Sequence, residues 1–315
     1  FIESLDPIIL VELADDRLDS ARGDLRADHG GTYTLQELIA DIIDNSIDAT
    51  AIGGTCNVVV DFGQCEYSEE KKEWEGLQGR NRPYVIIEDD AKGMDEETLA
   101  RAMGKGNTRD YPPWELGHYG VGLKKSSLSS AYEITVFSKV KGGEILCRRY
   151  SSCYIERFDH NGIMDEESIS RLFPWMIEAD SWSDARERLE DKDSGTVVLL
   201  EGLPNLIDTT KGYEEDDEAA LNKHIDETSA YLSLVFGKYL EEGGAILKCW
   251  DDEHEKEFEI NKKLNIEVDV KELTPLDPFF KDFIDKDDNF GTLYQEHVIK
   301  TEIRDKKWDM GVNIF

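Results

Sequence analysis

The stretch TLQELIADIIDNSIDAT, residues 34–50, decides the fold of this chain. Its apolar residues recur at three- and four-residue spacing, as on the buried face of an amphipathic helix. They are Leu35, Leu38, Ile39, Ile42, Ile43 and Ile47. Thr34 stands where an N-cap is expected. Asp41, Asn45 and Asp48 follow each other at i, i+4 and i+7, so the stretch predicts a helix with an apolar face and a separate polar row.

The polar row has two interpretations. An amide oxygen together with carboxylates suits Mg²⁺, which also keeps several waters. Alternatively, the row is a solvated acidic face, which is the more frequent meaning of such a pattern. Asn45 favours the metal, because asparagine is a modest helix former with no evident benefit on this surface. Taken alone, the segment leaves both interpretations open.

The 315 residues alternate between helix and strand patterns on either side of this helix, without internal repeats. Strands are predicted at 55–61, 84–88, 133–139, 144–150, 196–201, 245–250, 256–260 and 292–300, and helices at 95–103, 121–130 and 218–241. Apolar periodicity is lost at 205–217, which predicts an N-terminal domain at 1–210 and a smaller αβ domain at 211–315. Residues 157–194, with Trp175 and Trp182, carry no interpretable motif, and both a docking surface and a helical elaboration remain open.

Composition excludes several classes of protein. No window approaches about 18 consecutive apolar residues, and the N-terminus lacks the features of a secretory signal, so we expect a soluble, cytoplasmic protein with no membrane partner. The net charge of -33, from 36 basic and 69 acidic residues, argues against direct nucleic-acid binding by this portion of the chain. Five cysteines without a CxxC pair indicate reduced structural thiols.

A second polar segment, Glu88-Asp89-Asp90-Ala91-Lys92-Gly93-Met94, follows an apolar strand directly. A carboxylate at the end of a strand is well placed to accept a hydrogen bond from a ligand, and Gly93 allows a close backbone approach. A plain acidic turn is the alternative.

The third segment is rich in glycine and precedes the helix predicted at 121–130. Gly117, Gly120 and Gly122 would free backbone N–H groups to face phosphate oxygens at a helix N-terminus, with Lys124 adding a positive charge. No Walker A sequence is present. A fourth segment, Ser194-Gly195-Thr196, opens the strand at 196–201 and has no meaning by itself.

In order and spacing, the four segments together resemble the signature of the GHKL ATPases, the superfamily of gyrase B, Hsp90, MutL and histidine kinases. Within it the chain is most similar to MORC-type and bacterial Hsp90-like ATPases. The narrower match rests on DNSIDATA (44–51), LGHYGVGLKKSSLS (116–129) and PLDPF (275–279). The motifs cover about residues 35–200.

The resemblance implies a Bergerat-type α/β sandwich, a mixed sheet covered by helices on one face, that binds ATP and Mg²⁺. Asn45 would ligate Mg²⁺, Asp48 would shape the pocket, and Asp89 would accept the adenine amino hydrogen bond with Thr196 assisting through water. The base pocket would be lined by Gly93 and Met94. The phosphates would be cradled by Gly117, His118, Tyr119, Gly120, Val121, Gly122 and Leu123, with Lys124 adjacent. Residues 104–118 would form the ATP lid, with Lys105 and Arg109 as candidates for phosphate contacts.

Three departures from the family pattern qualify this expectation. Asp41 stands where these ATPases usually carry the glutamate that activates water, which predicts slow hydrolysis; Glu37 and Asp44 are fallback bases. Ala91 replaces a usual glycine, so the turn must differ there, because alanine does not adopt positive φ cheaply. No transducer lysine can be assigned after Thr196.

The function implied by the resemblance is ATP hydrolysis that drives a conformational switch with ATP-dependent homodimerisation. A C-terminal effector region or a partner protein would complete the machine, and bacterial relatives suggest a role in defence. The alternative is a non-hydrolysing ATP sensor that only gates assembly. A histidine kinase is a third possibility, but fewer than 40 residues precede the helix that bears Asn45, too few for a phosphoacceptor module.

Overall fold

The computed structural model describes residues 34–66, 68–70, 73, 81–103, 131–158, 163–203, 206, 215–251 and 256–276. The helices are α1 (Leu35–Ala49), α2 (Glu96–Met103), α3 (Ser152–Phe158), α4 (Glu166–Leu172), α5 (Pro174–Ile177), α6 (Asp180–Glu187), α7 (Glu215–Val235) and α8 (Gly237–Leu240). The strands are β1 (Thr55–Glu66), β2 (Asn81–Asp89), β3 (Glu133–Lys139), β4 (Leu146–Ser151), β5 (Ile163–Met164), β6 (Gly195–Glu201), β7 (Ala245–Asp251), β8 (Lys256–Val268) and β9 (Lys271–Glu272).

Helix α1 forms as its sequence predicts. Thr34 is the N-cap, and a reciprocal capping box joins its side chain and backbone N–H to Glu37. The helix buries the predicted apolar stripe against the sheet, apart from Leu35, which is half-buried. Each such side chain contributes about 2 kcal/mol of transfer free energy. Apolar burial therefore fixes which side of α1 faces the core and leaves the polar row on the other side.

The described strands form one mixed, nine-stranded sheet in the order β5-β4-β3-β6-β2-β1-β8-β7, with β9 paired to β8. Neighbouring strands are antiparallel except β1 and β8, which are parallel. The predicted α/β class with a mixed sheet is confirmed. Strands β1 and β2 are longer than predicted: β1 continues to Glu66, and β2 begins at Asn81.

Helices cover both faces of this sheet, whereas the resemblance implies one covered face. Val85 and Ile87 of β2 pack in the core that contains α1, while Ile86 between them packs in a second core. The second core is filled from α3 to α6 and from Leu189 after them; we call the described part of residues 152–194 the second-face layer. Trp182 of this layer is buried edge-on against Phe137, with ring centroids 4.9 Å apart. The stretch 157–194 is therefore a helical elaboration with its tryptophans in the core.

The sheet continues across the boundary expected near residue 210. Strand β8 pairs in parallel with β1, with Val58 opposite Ile266. The described residues from Thr34 to Leu276 all belong to one compact unit, and the second unit, Asp277–Phe315, lies outside the described residues. The helix predicted at 121–130 and the strand predicted at 292–300 also lie outside them.

The described helices include none that combines the length and the apolar character needed to cross a membrane.

A strained two-residue turn joins β8 to β9. Asp269 and Val270 both have positive φ, 48° and 63°, which is the backbone of a type I′ hairpin turn. Asparagine and glycine suit such positions, whereas a β-branched residue adopts positive φ only at a cost. Val270 is 87% exposed, so packing offers little compensation for that cost.

Replacing Val270 by glycine is therefore expected to stabilise the protein. We expect a gain of about 1 kcal/mol, or about 2–4 °C in Tm, measured by thermal unfolding. Val270→Ala is the matched control: it removes the β-branch but keeps the Cβ, so it should gain less than glycine. A lower Tm for Val270→Gly than for the parent would show that the turn is not strained.

Candidate functional site

The site is built around Asp89, the last residue of β2. Its carboxylate is only 7% exposed and accepts three hydrogen bonds. Ser46 Oγ of α1 donates to Oδ2 over 2.8 Å, while the backbone N–H groups of Ala91 and Thr196 donate to Oδ1 over 3.0 Å and 3.2 Å. The carboxylate thus joins α1, the end of β2 and the start of β6.

Burial raises the pKa of Asp89 to about 6, even though the hydrogen bonds from Ser46, Ala91 and Thr196 act in the opposite direction. At neutral pH the group is therefore ionised and acts as an acceptor. Below about pH 6 it takes up a proton and becomes a donor at one oxygen.

Gly93 and Met94 pack against strands β3 and β6 beside this carboxylate. Gly93 has φ of +69°, and a Cβ at this position would lie 2.0 Å from the carbonyl oxygen of Lys139. Only glycine fits there. The Met94 N–H donates to Ser138 Oγ over 2.8 Å, and Ser138 Oγ lies 3.2 Å from Thr196 Oγ1. Four of the residues predicted for base binding, Asp89, Gly93, Met94 and Thr196, are thus brought together.

The turn after Asp89 differs from a glycine turn in the expected way. Within the described residues the only non-glycine positions with positive φ are Asp269 and Val270, so Ala91 has negative φ. Asp90 instead turns outward and accepts a hydrogen bond from the Asn57 backbone N–H over 2.8 Å. Alanine is accommodated because the neighbouring aspartate ties the turn to β1.

The polar row of α1 lies where the helical spacing predicts. Asn45 is exposed, and Asp41 and Asp48 are half-buried. The Asn45 Nδ2 group donates to the Asp41 carbonyl oxygen over 2.9 Å. Because the Asn45 Nδ2 group faces the helix backbone, Oδ1 is the atom with which Asn45 would contact a cation.

Asp44 lies between the polar row and helices α7 and α8. Burial, together with the charges of Asp41 and Asp48, raises the pKa of Asp44 to about 7. The pKa of Tyr239 in α8 is raised to about 12 by burial and by the charges of Asp44 and Asp48. The carboxylates of α1 thus repel one another close to the partly buried Tyr239. Together with burial, this repulsion favours the protonated form of Asp44.

Glu37 has a structural task at the start of α1. Hydrogen bonds from the backbone and the hydroxyl of Thr34 lower its pKa. The distances from these two groups to Oε2 are 2.8 Å and 2.9 Å. A carboxylate held in a capping box and weakened as a base is a less suitable fallback base than Asp44.

The predicted phosphate-contacting residues lie outside the described residues. These are Lys105, Arg109, Gly117, His118, Tyr119, Gly120, Val121, Gly122, Leu123 and Lys124. Their roles stay predictions. No group of three or more His, Cys, Asp or Glu side chains suited to hold a metal occurs in the described part of the chain. A magnesium ion here would therefore need ligands from water and from a bound phosphate.

Two residues of the site were not identified from the sequence. Ser46 and Ser138 hold Asp89, Met94 and Thr196 in place through their hydroxyl groups. Ser46 had a local signal, because it lies on the apolar side of α1, where a hydroxyl group needs a buried partner. Ser138 had none, because a serine at the end of a strand is unremarkable without its neighbours.

Residues 33–196, a little over half of the chain, match the family described as Histidine kinase-, DNA gyrase B-, and HSP90-like ATPase. The protein belongs to this class of nucleotide-dependent ATPases, as the resemblance predicted. The matched stretch contains α1, Asp89 and Thr196, so it includes the buried carboxylate and its partners.

Curated relatives narrow the similarity to one group. The chain is similar to Protein MICRORCHIDIA 6 of Arabidopsis thaliana, 27% identical over 129 residues, which are 40% of this chain and 18% of the relative. It is also similar to Protein MICRORCHIDIA 7 of the same plant, 32% identical over 104 residues, which are 33% of this chain and 13% of the relative. The chain thus spans less than a fifth of these curated relatives.

Among solved structures, one similar chain is the ATPase and transducer domains of DNA topoisomerase II from Balamuthia mandrillaris. The TM-score is 0.40 at 10% identity, covering 81% of this chain and 51% of that chain.

The raised pKa of Asp44 makes stability depend on pH. Its folded-state pKa of about 7 lies above the ordinary value of 3.8, so the folded protein loses stability as pH rises between these values and loses no more above them. Asparagine cannot ionise, so Asp44→Asn should stabilise by about 1–2 kcal/mol near pH 8, after discounting for partial exposure, and by less near pH 5. Urea unfolding at both pH values measures the difference.

The exposed Asp191, substituted in the same way, is the control and should give equal small effects at both pH values. An Asp44→Asn effect that is also independent of pH would mean that Asp44 is not held against its neighbours.

Proposed function

We propose that this protein binds ATP with Mg²⁺ and hydrolyses it slowly, and that the cycle drives a conformational and dimerisation switch in a larger MORC-like machine. The observation that carries the proposal is the buried Asp89 carboxylate, held by Ser46, Ala91 and Thr196 at the end of β2. Membership of the ATPase family supports it.

The arrangement around Asp89 suits recognition of an adenine amino group. A buried carboxylate gains from a further donor, and a ligand amino group buried beside it needs an acceptor. Gly93 and Met94 follow four and five residues later, where a planar base would contact the backbone. Thr196, whose hydroxyl lies 3.2 Å from Ser138, stands beside the carboxylate and would complete the contact through water.

Asn45 suits a magnesium ion bound together with the phosphates. Its amide oxygen is a hard ligand on the exposed side of α1, and Asp41 and Asp48 flank it on the same row. When bound, the ion would neutralise phosphate charge that the acidic row would otherwise repel. The glycine stretch 117–123 with Lys124, and the lid at 104–118 with Lys105 and Arg109, are proposed to hold the phosphates.

Asp41 is the proposed base that activates water, with Asp44 as the alternative on the same helix. The raised pKa of Asp44, about 7, matches what general-base catalysis near neutral pH requires. The shorter side chain of aspartate favours slow turnover. The second candidate function is a non-hydrolysing ATP sensor, and the aspartate at position 41 is the observation that favours it.

The wider role is proposed from the family. The matched relatives are far longer than the aligned stretch, so the effector region or partner that receives the switch is proposed to lie beyond this stretch. We also propose that the transducer-like domain follows the ATP-binding domain, that two chains associate when ATP is bound, and that the protein acts in the cytoplasm, in defence if it is bacterial.

Asp41→Asn separates the two candidate functions. If Asp41 is the base, steady-state phosphate release should fall by about 10²-fold or more, while ATP affinity changes little, because the chemical step alone loses its proton acceptor. Asp44→Asn tests the alternative base in the same assay, and Glu37→Gln is the control expected to keep turnover. A parent protein that binds ATP and forms dimers with it, but releases no phosphate, would establish the sensor.

The contact at Asp89 is tested by comparing ATP with ITP, in which an oxygen replaces the base amino group and N1 carries a proton. The parent should prefer ATP, because a site built to accept a hydrogen bond discriminates against a ligand that lacks the donor. Asp89→Asn should abolish the preference. The preference should also fall as pH drops below about 6, where Asp89 becomes protonated. Calorimetric titration of both nucleotides at several pH values measures it, and equal affinity for both nucleotides in the parent would exclude this contact.

A further inference from the structure

Strand β2 ends with two charged residues, Glu88 and Asp89, whose side chains lie on opposite faces of the sheet. Successive side chains of a strand alternate between faces. Asp89 points to the face covered by α1 and meets Ser46 there. Glu88 points to the other face, where it meets Arg188, the residue that follows α6 in the second-face layer. The second-face layer therefore reaches the strand end one residue away from the proposed adenine contact.

Arg188 is surrounded by three carboxylates. Its guanidinium lies 2.6 Å from Asp61 of β1, 3.3 Å from Glu88 of β2 and 3.1 Å from Asp184 of α6. Its side chain is 19% exposed and that of Glu88 is 11% exposed, so solvent screens this pair only weakly, whereas Asp61 and Asp184 are 27% and 40% exposed. Lys192, in the segment that links α6 to β6, contacts Glu88 as well.

Other contacts tie the same segment to the turn that follows Asp89. Ser194 Oγ donates to the Ala91 carbonyl oxygen over 2.9 Å. A Cβ at Gly195 would lie 2.3 Å from the carbonyl oxygen of Asp89, so the two backbones touch. Lys139 Nζ of β3 donates to the carbonyl oxygens of Leu189 and Glu190 over 3.0 Å each. The end of the layer is thus fastened directly behind the site.

We propose that Arg188 is a positioning residue for nucleotide binding: by holding Glu88 from the second face, it fixes the end of β2 and with it the direction of the Asp89 carboxylate. The second-face layer then sets how well the protein recognises adenine. This inference rests on the proposed function, because it assigns a role in the same site.

The charges around Arg188 explain why its removal would displace the end of β2. In the absence of Arg188, the carboxylates of Asp61, Glu88 and Asp184 keep only Lys192 as a nearby cation among the contacts described above. Removing one partner from a buried carboxylate such as Glu88 leaves its charge uncompensated. Glu88 would then turn toward solvent, and the strand end would move with it. Asp89 is one peptide bond away, and a displacement of about 1 Å is enough to weaken a directional contact.

Lys192 supports the same arrangement from the exposed side of the segment. Although burial raises the pKa of Asp89, the charge of Lys192 acts against that rise. Lys192 thus favours the ionised form of the carboxylate on the first face, while both cations of the second face contact Glu88.

A merely structural arginine and a positioning arginine predict different results with ATP and ITP. The two nucleotides share their phosphates and ribose, so general loosening of the domain weakens both equally. Misalignment of the Asp89 carboxylate weakens the binding of ATP alone, because only ATP carries the amino group that Asp89 is proposed to contact.

The experiment titrates ATP and ITP, with Mg²⁺, into the parent, Arg188→Met and Arg186→Met. Arg186 is the matched control, since it lies two residues earlier, in the last turn of α6, and also contacts two carboxylates, Glu166 at 3.2 Å and Glu190 at 3.1 Å, away from β2. We expect Arg188→Met to lower ATP affinity about tenfold and to leave ITP affinity within about twofold. Arg186→Met should keep the parent values for both, and Arg188→Lys should restore part of the ATP preference.

The outcomes distinguish this inference from the proposed function. A parent protein that binds no ATP, or that does not prefer it over ITP, overturns the proposed function itself. A parent that prefers ATP while Arg188→Met keeps the same ratio of affinities overturns the positioning role. If Arg188→Met does not fold, Lys192→Met replaces it; we expect the ratio to fall about threefold there, and an unchanged ratio overturns the inference.

Discussion

The buried carboxylate of Asp89 is the constraint on which the arrangement of this domain depends. A carboxylate removed from water must be compensated by hydrogen bonds or charges, or it loses its ionised form. Its donors come from α1, from the turn after β2 and from the start of β6, which are far apart in sequence and must therefore be assembled around one side chain. The pKa of Asp89, about 6, shows that these donors compensate its burial only in part. A further donor from a ligand would complete them.

Helix α1 meets two opposing demands. Its isoleucine stripe stabilises the core, whereas burial, together with the charges of Asp41 and Asp48, raises the pKa of Asp44 to about 7. A helix selected for stability alone would not place three carboxylates within two turns on partly buried ground. Local costs of this kind are expected where residues serve a ligand, because the free energy lost in the unliganded protein is recovered on binding. The helix therefore gains stability from one side and carries the proposed metal ligand and base on the other.

Sequence patterns predicted the parts of this structure that depend on nearby residues. Helix α1, its cap at Thr34 and the position of Asp89 at a strand end follow from spacing within a few residues. The role of Arg188 did not follow, because its partner Glu88 lies 100 residues away. The second covered face had a local signal that was missed: Val197, Val198, Leu199 and Leu200 are apolar at every position, the pattern of a strand buried on both faces. The parallel pairing of β8 with β1 had no such signal, because the hydrophobic pattern of a strand does not indicate which other strand it pairs with.

The second-face layer also explains where an acidic chain uses some of its arginines. Arg149 is fully buried between Glu133 and Glu201, and Ser181 of α6 donates to Glu201 over 2.7 Å. Together with Arg188 on Glu88, this places cationic and polar contacts beneath the layer at both ends of the sheet's central strands. Buried ionic groups of this kind cost desolvation and are poor sources of net stability, but breaking them is expensive, so they specify where the layer must lie. Because neighbouring side chains of a strand point to opposite faces, a layer held firmly on one face of the sheet also fixes side chains on the other face, where the nucleotide is proposed to bind.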